Sequence, residues 1–348
     1  MASEPVQFPP GFLEEDKGPS VVACCAAFIA LEVVFVSLRF WARKIKKIRW
    51  GWDDAFYVLA ALFSMATTIL CLVEVYIGGV GRHAAALKME SPEKLVVWAK
   101  FAIIIPITYF PSVAFPKLSI LALYLRIFEE PAYQIVCWAT ALFIGGNCIG
   151  AVIPAFFICI PLEYWWNKNL PGGGNCIDVN AWYRWPSIVN IATDLVMLAI
   201  PIPAIITLHT SKRVKAGLAA TFLLGSIGFI TAIVRFIGFF TEDMAADPTW
   251  VEVKLIWWTI MECQFYLFAA SLISCKPLLR PIRDKLAPFT KKWGSWGSNF
   301  LSKRSSPKNS SYGVQGTSLE MPKREDSKQL EDGSSERQLW KDSRSDDC

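Results

Sequence analysis

The chain has 348 residues, 53% of them hydrophobic and 19% charged, with a formal net charge of +5. Ordinary globular domains carry about a quarter charged residues. Here the apolar residues gather into long runs, which excludes a water-soluble enzyme built on one large core and indicates a polytopic membrane protein. The positive balance is no nucleic-acid signature, because the bases flank the hydrophobic runs. The sequence carries no zinc, phosphate-loop or dinucleotide motif, and the glycine-rich GGVGRH at Gly78–His83 follows no strand and reads as a loop.

Residues 1–19 are polar, acidic and proline-containing, with no cleavable signal peptide, so the first hydrophobic run is expected to act as an uncleaved anchor. Spans of about 20 apolar residues are expected at Ser20–Phe40, Ala55–Tyr76, Val97–Leu125, Ala132–Phe157, Pro186–Leu208, Ala216–Phe240 and Val253–Ser274. The third contains Pro106, Pro111 and Pro116, which kink helices. The fourth contains Gly146 and Gly150, suited to close helix packing but common in any span. The fold class is therefore all-α, a seven-transmembrane-helix bundle. Three segments follow: a short N-terminus (1–19), the membrane domain (20–285) and a Ser-, Lys-, Asp- and Glu-rich tail (286–348) of the composition that stays disordered.

Lys and Arg in short loops set orientation. Arg43, Lys44, Lys46, Lys47, Arg49, Arg126, Lys212, Arg213, Lys215, Lys276, Arg280, Arg283 and Lys285 fall on one side. Lys17, Arg82, Lys88, Lys94, Lys168, Arg184 and Lys254 fall on the other. The N-terminus is thus expected outside or lumenal and the C-terminus cytoplasmic, in the plasma membrane or an endomembrane. Trp50, Trp52, Trp165, Trp166, Trp182, Trp185 and Trp257 lie near span ends, as an aromatic belt requires.

Of the ten cysteines, most lie in or near spans and behave as small hydrophobes. Cys159 and Cys176 face the oxidising side on this topology. A disulfide between them would close a loop of about 17 residues, worth roughly 3 kcal/mol in the chain-entropy model; two free thiols are the other reading.

Charged residues inside the spans carry the functional signal. With a rise of 1.5 Å per residue, Lys117 lies about 14 Å from Arg126 at the inner edge, near mid-membrane. Asp194 lies about 12 Å, Glu262 about 14 Å and Arg235 about 8 Å below the outer ends of their spans. Glu74 sits near the outer end of the second span and Glu32 near the middle of the first. Intramembrane charges persist when they face inward and pair. Asn190 shares a face with Asp194, Thr231 lies one turn before Arg235, Lys117 shares a stripe with Leu121 and Tyr124, and Trp258, Glu262 and Tyr266 are spaced by four. Polar heads among aromatic walls line small-molecule pockets, so Lys117, Asn190, Asp194, Arg235, Trp258, Glu262 and Tyr266 form the expected ligand pocket. The plainer alternative is that these ion pairs only fix helix register and rotation.

Seven motifs then occur in a familiar order: WGWDDAFYVLA (Trp50–Ala60), GVGRH (Gly79–His83), KLSILALYLRIF (Lys117–Phe128), CIPLEYWW…GNCID (Cys159–Asp178), NIATDLVMLAIPIPAI (Asn190–Ile205), GSIGFITAIVRF (Gly225–Phe236) and WTIMECQFYLFAASLISCKPLLRP (Trp258–Pro281). In these the chain resembles the fungal rhodopsin-domain integral membrane proteins, a seven-helix family that includes a satratoxin-cluster membrane protein. The resemblance implies seven helices with the N-terminus outside, the Cys159–Cys176 disulfide, and Lys117, Asp194, Arg235 and Glu262 as characteristic positions. It also implies a place in secondary metabolism. Receptor-like relatives carry a cysteine-rich segment before the helices, for which the residues ahead of the first span leave no room.

Retinal would need a Schiff-base lysine facing the pocket from the seventh span, where Lys254 and Lys276 lie only at the ends, so no cofactor is expected. Nor is a metal, since His83 and His209 fall on opposite sides of the membrane. The expected partners are membrane lipid, a lipophilic small molecule and a cytoplasmic protein reached through the tail, with no nucleic acid. Two functions remain. One is binding of a lipophilic molecule, as in a receptor-like sensor. The other is a membrane-embedded isomerase or cyclase of a polyketide or terpenoid pathway, with Asp194 and Glu262 as its acid and base. A transporter is disfavoured by the lack of an internal repeat.

Overall fold

The computed structural model describes residues 9–46, 50–127, 130–202, 212–241 and 246–274. The expected tail of 286–348, His209, Lys276 and the inner end of the fifth expected span lie outside the described residues.

The described chain is almost wholly helical. The long helices are α1 (Gly18–Lys46), α2 (Trp52–Ile77), α4 (Pro92–Ile127), α5 (Pro131–Ala155), α6 (Val179–Ala199), α7 (Lys212–Thr241) and α8 (Pro248–Ser274), with the short α3 at Ala84–Glu90. Local chemistry sets their starts. Pro92, Pro131 and Pro248 stand at first helical positions, where the missing N–H costs nothing. The Asp178 side chain caps α6 by accepting from the N–H groups of Asn180 and Ala181. Six of the long helices are long and apolar enough to cross a membrane; α6, which carries Arg184, Asn190 and Asp194, is the less apolar one.

Packing follows chain order. α1 lies on α2, α2 on α4, α4 on α5, α5 on α6, α6 on α7, α7 on α8, and α8 closes back onto α1 while also touching α2 and α4. Burial is inverted relative to a water-soluble protein. Outward positions of α5 are large and apolar: Ile135, Trp138, Leu142 and Phe143 are all exposed. Glu32, Arg39, Asp53, Asp54, Lys117, Asp194, Arg235, Glu262 and Gln264 are buried. With no water to receive them in a bilayer, polar groups belong inside the bundle and apolar ones on its rim.

α4 runs unbroken through Pro106, Pro111 and Pro116. At 36 residues it is about 54 Å long, well beyond a hydrocarbon core of about 30 Å. A proline removes the bond to the carbonyl four residues back. The one freed by Pro106 belongs to Ala102, and it accepts from the Tyr183 hydroxyl at 3.1 Å instead. A kink site on one helix thus becomes a tie to α6.

Among the boundaries that differ from expectation, three bear on the buried charges and the cavity. α1 continues to Lys46, so Arg43 is a buried helical residue and not a base of a solvated loop. α6 starts at Val179, not Pro186, and Pro186 lies within it. α8 starts at Pro248, not Val253. At the starts of α6 and α8 the hydrophobic run begins after the helix does, because a turn of more polar helix precedes the apolar stretch; at the end of α1 the helix outlasts its apolar run.

Candidate functional site

Four helices bring the intramembrane charges into one buried network. Lys117 on α4 places Nζ 2.6 Å from Asp194 Oδ1 on α6 and 2.6 Å from Asn190 Oδ1 one turn away. Asn190 Nδ2 donates to Glu262 Oε1 on α8 at 2.8 Å. The other oxygen of Glu262 accepts from Arg235 Nε on α7 at 2.9 Å and from the Tyr109 hydroxyl at 2.9 Å. Arg235 also donates to Tyr109, and the Tyr266 hydroxyl donates to Asp194 Oδ2 at 2.5 Å. Rings cover the cations: Lys117 lies 4.8 Å from the Tyr266 centroid and Arg235 4.6 Å from that of Tyr109. Two cations face two carboxylates, so the layer is neutral, and each carboxylate has a charge-assisted bond. Such an arrangement is stable in low dielectric only because the remaining lone pairs are also satisfied, here by Asn190, Tyr109 and Tyr266.

Next to this network lies a cavity of about 510 Å³, within the size range of small-molecule sites. Its walls are mostly aromatic, including Trp98, Tyr109, Phe110, Tyr183, Phe239 and Phe240, and its charged groups are Arg184, Arg235 and Glu252. It occupies the end of the bundle where α4, α6 and α8 begin and α2 and α7 end. Of the seven residues expected to form a pocket, Arg235 alone lines it. Lys117, Asn190, Asp194, Glu262 and Tyr266 lie in the network behind Arg235. Asn190 borders a separate void of about 10 Å³ that also touches Arg235, room for about one water. Trp258 is half-buried on α8 and lines neither space.

The loop between α5 and α6 covers the same end. Strands β1 (Cys159–Ile160) and β2 (Asn175–Cys176) pair antiparallel, and the Cys159–Cys176 disulfide joins them. Gly174 is required there, because a Cβ would come within 2.6 Å of Tyr164 Cγ. Trp165 reaches down to donate to the Ala99 carbonyl at 2.8 Å and lines the cavity. The N-terminal segment closes the neighbouring edge: Lys17 N–H donates to Gly81 O at 2.9 Å, Gly81 N–H to Thr249 O at 3.1 Å, and His83 stacks between Phe12 and Trp250 while bonding Asp247. Gly81 has φ +105°, a conformation that favours glycine. At the rim Arg82 and Glu90 pair at 2.7 Å, and the hydrogen bond from Arg82 holds the Glu90 carboxyl below its ordinary range.

Two further polar clusters lie elsewhere in the bundle. At the opposite end Arg39 and Arg43 of α1 pair with Asp53 and Asp54 of α2; Arg39 also donates to Ala270 O at 2.6 Å and covers the Tyr57 ring at 4.0 Å. This ties α1, α2 and α8 together. Glu32, expected in the charged layer, is not ion-paired among the described residues; it accepts from Gln264 at 2.6 Å and Ser64 at 3.3 Å. Sequence reasoning missed Arg39, Tyr109, Trp98, Arg184 and Glu252. Arg184 and Glu252 fall outside the expected spans because both helices begin before their apolar runs. The signals were present: Asp178 before VNAWYRW is an N-cap, and Asp247-Pro248 opens a helix.

A fungal rhodopsin domain model matches residues 38–281. A polyenoic acids biosynthesis gene cluster protein, Ba17b, of Metarhizium anisopliae is 34% identical over 74% of this chain and 72% of that protein. A wortmanamides biosynthesis cluster protein C of Talaromyces wortmannii is 27% identical over 81% of this chain and 77% of its own length. A SAT4 family membrane protein of Emericella nidulans is 29% identical, covering 66% and 53% respectively. No solved structure matches the chain. The family match over most of the helical bundle and the similarity to Ba17b together place this multi-pass membrane protein in the fungal rhodopsin domain family.

Proposed function

We propose that the protein spans the membrane seven times, N-terminus outside or lumenal, and binds a lipophilic small molecule of fungal secondary metabolism in the 510 Å³ cavity. That cavity is the observation that carries the reading: aromatic walls for an apolar body and a few charged groups to orient a polar head. α6 is the seventh span, its polar residues turned to partners inside the bundle. The basic residues of the sequence support the orientation. So does the disulfide at the cavity end, which belongs in an oxidising compartment. The cavity then opens to the outer side or outer leaflet, and Lys117, Asn190, Asp194, Glu262 and Tyr266 act on the bound molecule through Arg235, which they hold in place. Relatives that belong to biosynthetic clusters support the metabolic setting.

The reading is of a pocket without retinal, supported by the placement of two lysines among the described residues. Lys254 on α8 is exposed near the helix start, and the Lys117 amine is engaged by Asp194 and Asn190. The enzyme alternative loses its first candidates on the same grounds, since Asp194 and Glu262 are both ion-paired and neither borders the cavity.

The test is gene deletion with metabolite profiling, complemented by wild type and by Ala102→Phe, which fills the cavity. Ala102→Phe should reach the membrane at wild-type level and fail to restore the profile. Full restoration would remove the cavity from the function. Accumulation of one pathway intermediate in the deletion would favour an enzyme; unchanged chemistry with altered cluster transcription would favour a sensor.

A further inference from the structure

Arg184 stands in the second turn of α6 and lines the cavity. A guanidinium carries five N–H donors and keeps its charge at any working pH. Among the described residues Arg184 makes one hydrogen bond, from Nη2 to Phe239 O at 3.2 Å, and no ion pair. Its Nε is buried and has no partner among the described residues. The Phe240 ring lies 4.1 Å from its guanidinium carbon, which softens the charge without cancelling it. A buried donor left unmade calls for an explanation, and a charge within a membrane bundle calls for a counter-charge.

The other charged groups of the cavity already have partners. Arg235, one turn before Phe239 on α7, donates to Glu262 and to Tyr109. Glu252 on α8 accepts from the Trp98 indole N–H, and a carboxyl can also shed its charge by taking a proton, which a guanidinium cannot. Both arginines border Phe239: Arg184 bonds its carbonyl, and Arg235 lies 5.3 Å from its ring. The positive charge of the cavity is therefore gathered where α6 meets the end of α7. Tyr183, next to Arg184, stacks on Phe239 with centroids 5.4 Å apart, and Trp98, Phe110 and Trp165 supply further aromatic wall.

We propose that the molecule bound in the cavity is a lipophilic acid, its carboxylate held by the free donors of Arg184 and its apolar body laid along the aromatic walls. This rests on the cavity being the ligand site and names the class of ligand it takes. The two oxygens of a carboxylate match the flat donor fork of a guanidinium and supply the missing negative charge. An ester or an alcohol would leave that charge uncompensated, and an amine would add a second positive charge beside it.

Full-length protein in lipid nanodiscs, titrated with dansylated undecanoic acid and with its methyl ester, tests the assignment. Energy transfer from tryptophan reads binding, since Trp98 and Trp165 line the cavity, and Ala102→Phe, which fills the cavity, gives the background. Wild type should bind the acid about ten-fold more tightly than the ester, the worth of one charge-assisted hydrogen bond. Arg184→Gln should lose that preference while still binding the ester, and Arg184→Lys should keep part of it, because an ammonium retains the charge without the fork. Dodecanoic acid should displace the probe and dodecylamine should not. Equal affinity of wild type for acid and ester, which needs no variant to fold, would overturn the anion site and leave the lipophile cavity standing. So would equal weakening of both probes in Arg184→Gln, or displacement by dodecylamine alone. Binding of neither probe above the Ala102→Phe background would overturn the cavity reading itself, and this inference with it.

Discussion

Replacing Lys117 by Met removes one charge from the network at nearly constant side-chain length. Lys117 Nζ bonds Asp194 and Asn190, each at 2.6 Å, and the pair is 1% and 3% exposed. Asp194 would keep only the Tyr266 hydroxyl. Stranding a buried charge in this way costs about 3–5 kcal/mol, a large part of the stability of any domain. Adding Asp194→Leu removes the stranded charge but leaves the Tyr266 hydroxyl unpartnered, a residual cost of about 1–3 kcal/mol. Adding Tyr266→Phe removes that as well. The order of stability is therefore wild type, then the triple variant, then the double, then Lys117→Met alone. Lys117→Met with Glu262→Leu behaves oppositely, because Glu262 belongs to Arg235; it strands two charges and should be worse than either single change. Membrane-fraction expression of tagged protein and thermal unfolding in detergent read the series. A Glu262 double variant as stable as the Asp194 double, or a neutral Lys117→Met, would refute the pairing.

Arg39→Ala should cost about 3–5 kcal/mol, since it leaves the Asp53–Asp54 pair short of one guanidinium, and Arg39→Lys should recover little because a point charge cannot bond Ala270 O, Asp53 and Asp54 together; thermal midpoints in detergent check both. Cys159→Ser, Cys176→Ser and the double change should each lower stability by about the same 3 kcal/mol, with non-reducing peptide mapping of the wild type recovering the joined pair; free thiols in freshly isolated membranes would contradict it. A glycosylation acceptor at residue 5 should be modified and a protease site at residue 330 should be cut only from the cytoplasmic side; the same sidedness for both would overturn seven spans.

Most of the secondary structure was legible because long apolar runs have one physical solution in lipid, the helix. The boundaries were less legible. Hydropathy marks where a helix enters hydrocarbon, not where its first hydrogen bond forms, so Arg184 falls in an expected loop and Glu252 one residue before its expected span, although both are helical and line the cavity. Arg43 was misplaced for the same reason at the other end of the bundle, where α1 runs on into a buried ion cluster.

The sequence by itself determined that charges of both signs lie at mid-depth on four helices, and burial cost alone requires that such charges pair inward. It could not determine the partners. Lys117 had Asp194, Glu262, Glu74 and Glu32 within its range of depth, and rise per residue constrains height but not rotation or neighbour order. The tertiary structure decides that: Lys117 of α4 reaches Asp194 and Asn190 of α6 across the inside of the bundle, and α7 beside α8 gives Arg235 to Glu262. Glu32 is left to Gln264 and Ser64. The cavity exists only at that level, because its walls come from helices distant in sequence and its shape depends on the side chains that fail to fill the space between them.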